Sequence, residues 1–140
     1  MDITEQMRST LNGEMKRNYG EQIFAGMLSR AKDGMPTGVV PLGYQQHGKH
    51  VTITGAAASH IRTIFAWLDR GDPVRTAWRR ASAAGLRSNR NKPLAISSFQ
   101  LIVRNPFYAG FIRFGGELHQ GIHEPLVSVE QFWRVQEKLK

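Results

Sequence analysis

Eight cationic side chains fall between Pro73 and Gly116: Arg75, Arg79, Arg80, Arg87, Arg90, Lys92, Arg104 and Arg113. The same 44 residues hold no Asp or Glu, and the nearest acids, Asp72 and Glu117, lie just outside. A surface charged only for solubility intersperses both signs. A one-signed stretch instead makes a lasting positive potential, and the chemistry it suits is the holding of a polyanion. Within it, Ser97, Ser98, Gln100 and Arg104 match the base edges of duplex DNA. Glutamine pairs bidentately with adenine, arginine with guanine, and serine with several bases. Arg75, Arg79, Arg80, Arg87, Arg90, Lys92 and Arg113 are expected on phosphates, where they fix register without carrying sequence.

Other chemistries find little support. His119, His123, Glu117 and Glu124 have the composition of a metal cluster, but they fall on a predicted hairpin and its exit, without the helical HExxH spacing. No metal site is expected from them. The chain has no cysteine, which excludes a disulfide framework and any cysteine-ligated zinc. No Gly-rich loop stands between a strand and a helix, so neither nucleotide binding nor another cofactor is expected. His47 and His50 lie in a polar loop and are expected to be solvated, whereas Trp67, Trp78 and Trp133, at helical spacing from other apolar residues, are expected in the core.

The totals agree with a polyanion partner. The net charge is +8 over 140 residues, with a sequence pI near 10.5, and the apolar fraction of 41% supports a modest core. No apolar run approaches the roughly 18–20 residues that span a bilayer, so a membrane partner is not expected. The opening MDITEQMRST is polar and has no signal-peptide pattern; a cytoplasmic chain is the expectation.

The elements that must position these residues can be placed in order. Met7, Leu11, Met15, Tyr19, Ile23 and Met27 recur every fourth residue and predict a helical extension over 1–33, ended by Asp33-Gly34. Residues 34–50, with Pro36, Gly38, Pro41 and Gly43, predict an extended arm. Such an arm can follow the minor groove, with Arg30, Lys32 and Lys49 as its cations. The unit 51–140 begins with a short strand at Val51–Ile53. A helix over His60–Arg70 follows, capped by Thr54 or Ser59, with Ile61, Ile64, Phe65 and Leu68 on one face. Gly71 stops it, and Asp72 caps a second helix with Pro73 in its first position. Leu86–Leu94 is a loop. A third helix starts at Ser97 or Ser98 and runs to about Arg104. Phe107–Arg113, Gly115-Gly116 and Leu118–Ile122 predict a hairpin, and Ser128 opens a last helix. The expected fold is therefore α+β and mainly helical. It is a helix-turn-helix or winged-helix-like domain with a β-hairpin, preceded by an extended N-terminal helix, and its third helix enters the major groove.

These residues also carry a family resemblance. Pro41-Leu42-Gly43-Tyr44, Ile61-Arg62-Thr63-Ile64-Phe65, the helix ended by Gly85, Asn105-Pro106-Phe107-Tyr108-Ala109-Gly110 and His123-Glu124-Pro125-Leu126-Val127-Ser128 occur in order. With Phe132 and Val135-Gln136, they make the chain resemble, from Ala31 to Leu139, the recombinase domain of the large serine recombinases. The resemblance implies binding to half of an attachment site beside the crossover. It also implies that the helix ending near Arg30 leads from a catalytic domain. Neither that domain nor the cysteine-containing zinc ribbon that often follows has a counterpart here. The expectation is a non-enzymatic fragment whose partners are duplex DNA and those domains of its parent, with self-association through the N-terminal helix a further possibility. Strand cleavage is not assigned to Ser9, Ser29, Ser97 or any other serine.

Two other binding modules fit some of the same features. A free-standing winged-helix transcription regulator would share the fold and use the N-terminal helix to dimerise. An RNA-binding module is disfavoured because no aromatic-rich sheet motif is present.

Overall fold

In a computed structural model that describes residues 20–140, helix α1 occupies 20–32. The part of the predicted helical extension before residue 20, with Met7, Leu11, Met15 and Tyr19, lies outside the described residues. The remaining elements are β1 (Tyr44–His47), β2 (His50–Ile53), α2 (Gly55–Asp69), α3 (Val74–Ala83), α4 (Ile96–Val103), a 3-10 turn (Pro106–Ala109), β3 (Phe111–Phe114), β4 (Glu117–Gln120) and α5 (Val129–Lys138). The strands form two separate antiparallel hairpins, β1–β2 and β3–β4. This is the α+β, mainly helical architecture expected from the sequence.

The core forms around α2. Ile61, Ile64, Phe65 and Leu68 recur at the spacing that brings them to one helix face, and all are buried. That face packs against α5, where Phe132 and Val135 are buried, and α2 also packs against α3. Tyr108 from the 3-10 turn is fully enclosed, and its hydroxyl donates to the Leu42 carbonyl at 2.6 Å. Tyr44 from β1 is buried as well and donates to the Glu124 carbonyl at 2.7 Å. These two phenols tie the Pro/Gly-rich arm to the helical unit. Burial pushes both hydroxyls well above the usual phenol range, so they act as donors at any ordinary pH.

Two glycines are conformationally required. Gly85 has φ +107 after α3, and the Leu86 amide bonds back to the Ala81 carbonyl while the Gly85 amide bonds to Ser82. This paired closure satisfies the last carbonyls of α3 and turns Leu86 into the core. Gly34, at φ +79, ends α1 and sits against β4, where a Cβ would come within 2.8 Å of the Gln120 carbonyl oxygen.

Several local expectations are corrected. The α2 helix begins at Gly55 rather than His60, because Ala56, Ala57 and Ala58 are strong helix formers. Of the two expected caps, Thr54 rather than Ser59 holds the N-cap position, without a side-chain bond. Asp72 does not cap α3; Pro73 occupies the N-cap, and the Asp72 carboxylate is taken by Arg70 and Arg80. Ser97 and Ser98 lie inside α4 rather than at its start, and its N-cap is Ala95. Residues 106–109 form a 3-10 turn, not the beginning of a strand. Pro106 presets the turn, Asn105 Oδ1 accepts the Phe107 amide at 3.0 Å, and Gly110 at φ 95 closes it. Trp133 is 43% exposed rather than core. The Ser128 cap of α5 is as expected, accepting the Gln131 amide at 3.1 Å. No helix among the described residues is long and apolar enough to cross a membrane.

Candidate nucleic-acid interface

Helix α4 has one buried edge and one open face. Phe99 and Val103 are buried, and Gln136 on α5 donates to the Val103 carbonyl at 2.8 Å, which seats its C-terminal end. Ser97, Ser98, Leu101 and Arg104 are exposed along the other side, and Gln100 is partly exposed. The structure thus brings Ser97, Ser98 and Gln100 onto one short helix, with Arg104 at its C-cap. Leu101 was missed by reasoning from polar chemistry alone. The spacing held the signal, since Leu101 stands four residues after Ser97 and three before Arg104.

Helix α3 presents Arg75 and Arg79, one turn apart and both exposed. Arg80 differs. Its guanidinium lies 2.8 Å from Asp72 and 5.8 Å from the centroid of the Trp67 ring. Arg70 joins from the other side at 2.6 Å, and this pair of arginines, Arg70 foremost, holds the Asp72 carboxyl below its ordinary range. Among the described residues, the ion pairs engage Arg70, Arg80, Arg134, Lys138 and Lys140. Arg75, Arg79, Arg87, Arg90, Lys92, Arg104 and Arg113 take part in none of them.

The connection from α3 to α4, residues 84–95, is longer than the three- or four-residue turn of a minimal helix-turn-helix. It is nonetheless pinned at three places. Arg87 donates to the Ser82 and Leu86 carbonyls at 3.0 and 2.7 Å, so it closes the end of α3 while remaining half-buried. Ser88 Oγ accepts the Arg90 and Lys92 amides, and the Ser88 amide bonds to the Lys92 carbonyl at 2.8 Å. Asn91 takes a left-handed conformation at φ 60 to close this small turn, leaving Arg90 and Lys92 exposed. Trp78 Nε1 then donates to the Leu94 carbonyl at 2.8 Å.

Arg113 is exposed on β3, opposite Leu118 and close to the Gly115-Gly116 tip of the hairpin. The three arm cations are dispersed. Arg30 and Lys32 are exposed on α1, and Lys49 is exposed at the β1–β2 turn. Arg30 shares an open groove of about 790 Å³ with Thr37–Val40, Gln45, Gln46 and Asn89.

His123 is held by packing. His123 is buried, stacked on Phe107 at 3.7 Å between centroids, and edge-on to Tyr44. Its Nε2 lies 2.6 Å from the Phe107 carbonyl, so the proton must sit on Nε2, because a carbonyl only accepts. His123 Nδ1 and His119 Nε2 are buried without partners. No group of three His, Asp or Glu able to hold a metal ion occurs among the described residues.

The fold is shared with known proteins. The chain resembles one from a structure named "Crystal Structure of a LSR-DNA Complex" with a TM-score of 0.72 and 23% identity, over 84% of this chain and 37% of that one. It resembles a second, from "Sequence Requirements of the Listeria innocua prophage attP site", with a TM-score of 0.73 and 24% identity, over 84% of this chain and 51% of that one. At these identities the likeness establishes the fold, and the chain spans about half or less of each structure's length. No curated protein matches the chain. A family model described as Recombinase matches residues 56–140, from the start of α2 through α5, and on that match the chain belongs to the Recombinase family.

Proposed function

We propose that this chain binds double-stranded DNA at a recombination attachment half-site, as part of a site-specific serine recombinase. One observation carries the reading: α4 has an open, mostly polar face, and seven cations of the acid-free stretch take part in no ion pair among the described residues. Membership of the Recombinase family supports it, as do structural neighbours named for a DNA complex and for an attP site. On this reading residues 51–140 form the DNA-binding unit. Residues 34–50 form an arm toward the minor groove, with Arg30, Lys32 and Lys49 beside it, and residues 1–33 lead from a catalytic domain. Ser97, Ser98, Gln100 and Arg104 read bases. Arg75, Arg79, Arg90, Lys92 and Arg113 hold phosphates, and Arg80 and Arg87 contribute after serving the fold.

Selection of bound duplexes from a random library tests the proposal. A defined asymmetric half-site is the expected product. A palindrome would favour a dimeric regulator, and recovery of no duplex would overturn the reading. The chain by itself is expected neither to nick nor to relax supercoiled DNA.

A further inference from the structure

We infer that Leu101 reads the C5-methyl group of a thymine in the major groove and so sets one position of the DNA site. The inference rests on the DNA-binding reading above and names a specificity residue within it. Leu101 is 74% exposed in the middle of α4, and among the large exposed apolar side chains of the described residues only Val39, at 96%, is more open. The helix does not need it inward, because Phe99 and Val103 already fill the buried edge, with Ile102 packed beside them.

A single exposed leucine is ordinary on a protein surface. The placement of this one is what distinguishes it. Ser97 and Ser98 lie one turn before it and Arg104 one turn after it, so an apolar group stands centrally in a row of hydrogen-bonding ones. No acid occurs from Pro73 to Gly116 to repel a duplex from this face. In the major groove, adenine, guanine and cytosine present donors and acceptors that a leucine would strip of water without replacing. Thymine alone also offers a methyl group. Burying that methyl against the isobutyl side chain removes apolar surface from water, whereas pressing Leu101 onto a polar edge leaves that edge unpaired. The same chemistry predicts tolerance of 5-methylcytosine at the position over unmodified cytosine.

The test uses the 140-residue chain and the duplex recovered by selection. Each thymine of the site is replaced in turn by deoxyuridine, which removes only the methyl. At one position the wild-type chain should lose about fourfold in affinity, the scale of exposing one methyl-sized group. Leu101→Ala should bind the thymine and uracil duplexes equally, and Leu101→Met should keep the difference. Because the side chain is exposed, circular dichroism should show all three chains folded alike. Wild-type binding that ignores every uracil substitution would overturn the inference, as would a Leu101→Ala chain that retains the wild-type uracil sensitivity. Either result, with sequence-selective binding intact, leaves the DNA-binding reading standing. Failure of the wild-type chain to bind any duplex would overturn both.

Discussion

The indole N–H of Trp78 donates to the Leu94 carbonyl at 2.8 Å, tying the middle of α3 to the residue two positions before α4. The bond spans a 16-residue separation and crosses the base of the basic loop. It sets where α4 starts relative to α3, so a single hydrogen bond links the helix carrying Arg75 and Arg79 to the helix carrying Ser97, Gln100 and Arg104. Trp78→Phe keeps an aromatic side chain but removes the donor, together with part of the indole's packing surface. The expected cost is about 1 kcal/mol of stability, read from the urea midpoint, because a partly buried carbonyl loses its partner. Sequence-specific affinity should fall further than affinity for random duplexes, since α4 loses its fixed placement.

Arg79 and Arg80 are adjacent in sequence but differ in surroundings. Arg80 is held by Asp72 and Trp67, while Arg79 is exposed on the Arg75 side of α3. Arg79→Ala is therefore expected to weaken DNA binding on all sequences and to lower the slope of log affinity against log salt by about 1. Arg80→Ala should change that slope less. Filter binding across a salt series measures both, and equal slopes for the two variants would contradict the assignment.

Salt dependence tests the wider group. If six or seven of the cations meet phosphates, affinity should fall on the order of 10³-fold between 50 and 200 mM salt. A flat response would remove the electrostatic account of the interface.

Arg104 follows the last residue of α4 and is exposed beside Leu101. As a base reader, Arg104→Ala should cost about 1–3 kcal/mol of binding and relax preference at one site position. An equal loss on random DNA would reassign it to a phosphate.

His123 gives the fold a pH dependence. Burial holds its imidazole below the ordinary value of 6.5, with the Phe107 carbonyl pulling more weakly the other way. Protonation would put a second N–H on the partnerless Nδ1. Above pH 6.5 the ring is neutral both folded and unfolded, and its contribution to stability is fully present. As pH falls below 6.5 the unfolded chain takes up the proton first, so stability declines toward the lower folded value. Urea midpoints measured from pH 7.5 to 5 should fall for the wild-type chain, and less steeply for His123→Gln.

Much of this was legible before the fold. The acid-free stretch from Pro73 to Gly116, the Gly115-Gly116 turn, the Ser128 cap and the stripe from Ile61 to Leu68 all depend on local spacing and composition, which a linear chain carries openly. The helix predicted from the fourfold apolar spacing also holds where it is described, and its Ile23 and Met27 are open to solvent. Phe24 beside them rests on Phe114 of β3, with 5.1 Å between ring centroids, a contact no local pattern announces.

The sequence by itself determined the sign of the charge, the residues that carry it and the order of the elements around it. Only the tertiary structure decided which cations remain open. Asp72 could have capped α3, but the turn at Gly71 directs it to Arg70 and Arg80 instead. Asp69 and Arg134, 65 residues apart, meet because α2 packs on α5. Likewise only packing turned His123 inward and Trp133 outward, and left Leu101 uncovered on its helix. The physical reason is common to all of them. A side chain's charge belongs to its residue, but its partner and its exposure are set by elements that meet only when the chain has folded.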